Sequence, residues 1–150
     1  MIVNLDKLPS MPQPLGKYSI EEHKRYSNFY FSLGNISLLL VNQWPAWDGV
    51  HCLPRRDASG HVLRNIFSGE LARFRALNAT LLDFLLRNQK LIPEDWKSIR
   101  VYFWGTIYRA NKDKRLFVRC LYFHYGRWRT EMVCIDKSFD ANSPALIIAT

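Results

Sequence analysis

From Ile99 onward, apolar and polar positions alternate with a period of two. Ile99, Val101, Phe103 and Ile107 interleave with Arg100, Tyr102, Trp104 and Tyr108, the pattern of a strand with one aliphatic and one aromatic-basic face. Asn111 to Lys114 reads as a polar hairpin loop, Leu116 to Tyr125 as a second strand, Gly126 as a turn, and Arg127 to Ile135 as a third strand. Phe139 to Asn142 is another turn. Pro144 to Ile148 is expected as a short edge strand, because proline is tolerated at a strand start.

Upstream the period is helical. Leu71, Phe74, Leu77, Leu81, Leu82 and Leu85 form one apolar stripe, with Arg73, Asp83 and Arg87 off it. Glu70 suits a first turn, Lys90 a last one, and Pro93 prevents continuation, so the spacing predicts a helix from about Gly69 to Gln89. Ser19-Ile-Glu-Glu22 has the form of a capping box, and Ile20, His23, Tyr26, Tyr30 and Leu33 follow at helical spacing. A second helix is expected from about Ile20 to Leu33, stopped by Gly34. The apolar run Ile36 to Val41 is too short for its period to separate strand from helix.

Two stretches carry punctuation instead of period. Residues 1–18 hold Pro9, Pro12 and Pro14, which remove backbone donors and predict an irregular arm. Trp44 to Gly60 is rich in Pro, Gly and Asp and reads as a long loop. The architecture expected is a single α+β domain over residues 1–150. It has an N-terminal helical and irregular half and one central amphipathic helix packed on a C-terminal antiparallel meander of three to four strands.

Composition supports one core. The chain has 150 residues and is 48% hydrophobic, enough for one compact domain and short for two. Met1 to Asp6 lacks a basic region followed by an apolar run, so no signal peptide is expected and a cytoplasmic location is. The most apolar run, Phe29 to Val41, is interrupted by Ser32, Gly34, Asn35 and Ser37, which argues against a membrane span. Cys52, Cys120 and Cys134 have no C-x-x-C spacing, which speaks against a disulfide framework or a zinc site. Asn35-Ile-Ser37 and Asn78-Ala-Thr80 match the glycosylation pattern, which has no meaning without secretion.

Charge changes the picture more. The formal net charge is +8, with a pI near 9.6. Between Ile99 and Arg129 there are eight Lys and Arg residues against Asp113 alone, so the basicity belongs to the meander. That distribution points to an anionic partner: RNA, single-stranded DNA or an acidic protein surface, with no membrane. Arg100, Arg119, Arg127 and Arg129 are the candidate phosphate contacts, and Tyr102, Trp104 and Trp128 the candidate stacking rings. A meander buried on both faces would instead use Tyr102 and Trp104 as core. Trp128 has the opposite parity to Arg127 and Arg129 and so faces the core if the strand is regular.

The loop offers weaker chemistry. His51 and His61 are candidates for general base and acid in RNA cleavage, Arg55 or Arg56 for phosphorane stabilisation and Asp57 for orienting an imidazole. A metal-independent ribonuclease is one competing reading, and a protein–protein adaptor or inhibitor with a basic face is another. Neither a metal nor a cofactor is expected, and no phosphate-binding glycine loop, nucleophile elbow or H-E-x-x-H motif occurs. The reading favoured is a non-enzymatic nucleic-acid-binding protein. Nothing in the sequence sets its oligomeric state.

Overall fold

The computed structural model describes residues 1–40, 57–68, 74–140 and 142–149. The alternation after Ile99 folds as β6 (Val101–Tyr102), β7 (Thr106–Ala110), β8 (Leu116–His124) and β9 (Arg127–Cys134). β6 and β7 are two halves of one strand path that pair antiparallel with the same side of β8, and β9 pairs with its other side. Between the halves the chain kinks at Gly105, whose N–H donates to the Leu77 carbonyl (2.9 Å) and whose carbonyl accepts from Lys24 N–H (2.7 Å). A Cβ there would lie 2.6 Å from the Ala76 carbonyl oxygen, so glycine alone permits the approach.

This kink divides the sheet beyond it. β2 (Tyr18–His23) pairs with β7, while β11 (Ala145–Ile148) pairs parallel with β6 and antiparallel with β4 (Ile36–Leu39). The result is a curled, mixed sheet of seven strands. Two small antiparallel pairs flank it, β1 (Ile2–Asn4) with β3 (Asn28–Tyr30) and β5 (Asp57–Ser59) with β10 (Ser138–Asp140). Among the described residues there are two α-helices, α1 (Gly60–Ser68) and α2 (Ala79–Arg87).

The chain does combine helix with a largely antiparallel sheet, but the expected arrangement is overturned. There is no N-terminal helix over Ile20 to Leu33. Tyr18–His23 is β2 and Asn28–Tyr30 is β3, separated by Ser27 at φ +56°. The capping box fails because its carboxylate has a distant partner: Glu22 pairs with Arg64 of α1, and Glu21 with Arg109 of β7. Tertiary pairing overrides local spacing. The meander is part of a larger mixed sheet, and β11 lies inside it between β6 and β4 instead of at an edge.

The central helix is shorter than its stripe. α2 starts at Ala79 because Asn78, in extended conformation, caps it by accepting from Thr80 N–H (3.2 Å) and Leu81 N–H (3.4 Å). The preceding Ala76 is bridged to Ile147 of β11 and is not helical. The Asn78 amide also donates to the Leu5 and Lys24 carbonyls (2.8 and 2.7 Å), tying the N-terminal segment to the helix start. Residues 69–73 of the expected helix, and the Trp44 to Arg56 part of the expected loop, lie outside the described residues.

Both faces of the sheet are covered. Leu63, Ile66 and Phe67 of α1 pack with Tyr102, Trp104, Val118, Cys120, Val133 and Phe139 on one face. On the other, Leu81, Leu82 and Leu85 of α2 pack with Val101, Phe103, Leu121 and Trp96. Successive residues of β6 and β8 thus alternate between an α1 face and an α2 face, as pleating requires.

His23 sits beside this network. Its Nδ1 lies 2.8 Å from Thr106 Oγ1 and its Nε2 lies 3.1 Å from the Lys7 carbonyl. The Lys7 carbonyl can only accept, so Nε2 carries a proton, and in the neutral ring Nδ1 accepts from the Thr106 hydroxyl, whose oxygen also accepts from Ala79 N–H (2.9 Å). Burial holds its pKa below the ordinary 6.5. A histidine that binds its proton more weakly folded than unfolded destabilises the fold as pH falls below that ordinary value. The melting temperature should therefore drop between about pH 7.5 and 5.5, and His23→Gln should flatten the drop. Equal pH slopes in wild type and variant would refute the assignment.

Candidate nucleic-acid interface

The hairpin of β8 and β9 sets the geometry of the basic surface. Its register opposes Val118 to Val133, Cys120 to Glu131, Tyr122 to Arg129 and His124 to Arg127. The connection is the two residues Tyr125 and Gly126, both at positive φ (+49° and +76°), as a type I′ turn needs. Gly126 accepts this backbone without strain, and Tyr125 projects from the tip with 84% of its surface exposed.

Cross-strand partners share a face. Tyr122, His124, Arg127, Arg129 and Glu131 therefore lie together on the α1 face, beyond its core. Arg100 joins them: its guanidinium stands 4.2 Å from the Tyr122 ring centre and bonds the Glu131 carboxylate. The His124 ring lies 4.0 Å from Tyr125 and 6.5 Å from Tyr122, centre to centre. Arg129 Nε donates to the His124 carbonyl (3.1 Å), which fixes the guanidinium along the hairpin. Three cations and three rings thus share one end of the sheet, with Glu131 as the acid among them.

Of the sequence-derived candidates, Arg100, Arg127 and Arg129 are brought together here, and the others are not. Tyr102 and Trp104 are 0% and 1% exposed. Their rings pack on Phe139 (5.1 and 5.4 Å), and Trp104 also on Phe67 (5.9 Å), so neither offers a face to a base. The sheet is buried on both sides: Tyr102 and Trp104 are α1-face core, and beyond the kink at Gly105 the parity reverses, so that Ile107 joins that core while Tyr108 meets Arg119 on the α2 side. Arg119 is 5% exposed and points to the other side, where Nη1 bonds Asp83 (3.1 Å) and Nε bonds Thr130 Oγ1 (3.3 Å). Trp128 is half-buried on the α2 face, edge-on to Phe123 at 5.2 Å.

The rings the sequence reading missed are Tyr122, His124 and Tyr125. Their signal was present: a two-residue turn at Tyr125-Gly126 pairs His124 with Arg127, and parity then places Tyr122 opposite Arg129.

The loop chemistry is not assembled among the described residues. His51, Arg55 and Arg56 lie outside them, and Asp57 begins β5. His61 at the second position of α1 holds Asp136 (Nε2 to Oδ1, 2.6 Å), and this bond is the main cause that keeps the Asp136 carboxyl below its usual pKa. Both side chains are about half exposed, and Arg115 stands 3.6 Å from the Asp136 carboxylate, so this is a surface hydrogen bond with a basic neighbour. Among the described residues, no group of three His, Cys, Asp or Glu could hold a metal ion.

No protein-family model, curated protein or solved structure matches the chain. No described helix is long and apolar enough to cross a membrane.

Proposed function

We propose that the protein is a non-enzymatic binder of single-stranded nucleic acid, RNA or DNA, and that the tip of the β8–β9 hairpin is its contact surface. One observation carries this reading: Tyr122, His124 and Tyr125 lie beside Arg100, Arg127 and Arg129 on one face. Guanidinium groups donate to phosphate oxygens, and unstacked bases pack on flat rings. Of the eight Lys and Arg residues between Ile99 and Arg129, Arg100, Arg127 and Arg129 stand at this end of β8 and offer a polyanion positive charge there. Tyr125, exposed and adjacent to His124, is the ring best placed to receive a base.

The test is fluorescence anisotropy with short labelled RNA and DNA single strands at low salt. Tyr125→Ala should weaken binding by about 1 to 3 kcal/mol, the usual worth of one stacked base. Because the side chain is exposed, the variant should melt with wild type. Undiminished binding in Tyr125→Ala would place the contact elsewhere.

A further inference from the structure

β9 is eight residues long and pairs with β8 along its whole length without a register shift. Among the described residues, no strand pairs with its other side. The direction of its backbone groups follows from one bond, Ile135 N–H to the Leu116 carbonyl (3.0 Å). In an antiparallel ladder alternate residues bond inward, so the odd-numbered residues of β9 face β8. The N–H and C=O groups of Trp128, Thr130 and Met132 point away from the sheet. An edge of this length with no proline is a template for a further strand.

We propose that this edge pairs antiparallel with β9 of a second copy of the chain, across a two-fold axis at Thr130, to give a dimer with one sheet running through both copies. The charges select the register. Centring on Thr130 sets Arg129 opposite Glu131 of the second copy, and Glu131 opposite Arg129 of the second copy. Centring on Arg129 or on Glu131 would oppose like charges. Glu131 uses Oε2 for Arg100 and keeps Oε1 for the incoming guanidinium. On the α2 face the same register opposes the two Thr130 residues and places Trp128 against Met132 of the second copy, each a favourable cross-strand pair.

Shape agrees with charge. On the α2 side a cleft of about 520 Å³ runs beside the edge, between Ser10–Gln13 of the arm and Thr130–Met132. Trp128 of the second copy, opposite Met132, enters at this cleft, whose lining includes Met11, Pro12 and Leu86. The contact is isologous, with the same patch on both copies, and so it closes as a dimer instead of propagating.

The dimer requires no nucleic acid and is tested without it, by sedimentation velocity over a concentration series of the full chain. Wild type should show reversible monomer–dimer exchange. Glu131→Arg should raise the dimer dissociation constant by about 100-fold, because two like-charge contacts replace two attractive ones. Combining Arg129→Glu with Glu131→Arg restores opposite charges in the same register and should recover the dimer. Circular dichroism melts confirm that each variant folds. A wild type that stays monomeric throughout, or association that Glu131→Arg leaves intact, would overturn the proposal.

Discussion

Asp83→Ala should destabilise the protein by about 3 to 5 kcal/mol, a loss expected when one partner of a buried ion pair is removed. Asp83 stands on α2 with 11% of its side chain exposed, and its Oδ1 accepts from Arg119 Nη1 on β8, itself 6% exposed. The carboxylate also anchors the N-terminal arm. Ser10 N–H donates to Oδ2 (2.7 Å) and Ser10 Oγ to Oδ1 (2.9 Å). Alanine leaves the Arg119 guanidinium inside the protein with the Thr130 and Tyr108 hydroxyl oxygens but no counter-charge. The cost is that of the orphaned cation, and not a measure of the pair's net worth. Replacing both partners, Asp83→Leu with Arg119→Met, should therefore recover most of the stability. Urea denaturation of the three variants checks this. A loss under about 1 kcal/mol for Asp83→Ala would show that water reaches Arg119 freely.

Trp104→Ala should cost a comparable amount, about 3 to 5 kcal/mol. The ring is among the largest fully buried side chains and is clamped between Phe67 and Phe139, at the kink where the β6–β7 path bends. Truncation opens a cavity in the α1-face core that its aromatic neighbours cannot close without moving the kink. The same variant separates core from surface. At a temperature where both proteins are folded, oligonucleotide affinity should match wild type, because Trp104 touches no ligand in this account. Denaturant melts combined with anisotropy decide it. An affinity loss in folded Trp104→Ala would return that residue to the binding surface.

The difference between these core residues and the hairpin tip shows what the sequence made legible. The period-two alternation after Ile99 marks β8 and β9, whose partners in the sheet are also close in the chain, but it reads as one strand the path that Gly105 breaks into β6 and β7. The spacing of the N-terminal half fits two structures, and the chain takes the one it does not single out. Ile20, His23 and Tyr26 sit at helical intervals, yet β2 is held by β7, more than eighty residues away. No local pattern reports such a partner. The helix stripe holds for Leu81, Leu82 and Leu85 and fails at its start, since Leu77 is core but precedes the helix. Asn78-Ala-Thr80 reads as a glycosylation pattern but acts as an N-cap.

For the site, the arginines at the hairpin end were legible and the rings were not. Alternation in β6 shows that Tyr102 and Trp104 share a face, but not whether that face is covered. α1 and β10 cover it, through Phe67 and Phe139. Parity did separate Trp128 from Arg127 and Arg129, since a two-residue turn fixes the register of both strands.

The most direct test of the account is the salt dependence of single-strand binding. Wild type should bind a short oligonucleotide at low salt and lose affinity steeply as salt rises, with log affinity falling linearly in log salt. Arg127→Ala, which removes one exposed phosphate donor opposite His124, should bind more weakly and reduce that slope by about 0.7. Absence of binding at low salt, or an Arg127→Ala slope equal to that of wild type, would contradict the hairpin surface as a nucleic-acid interface.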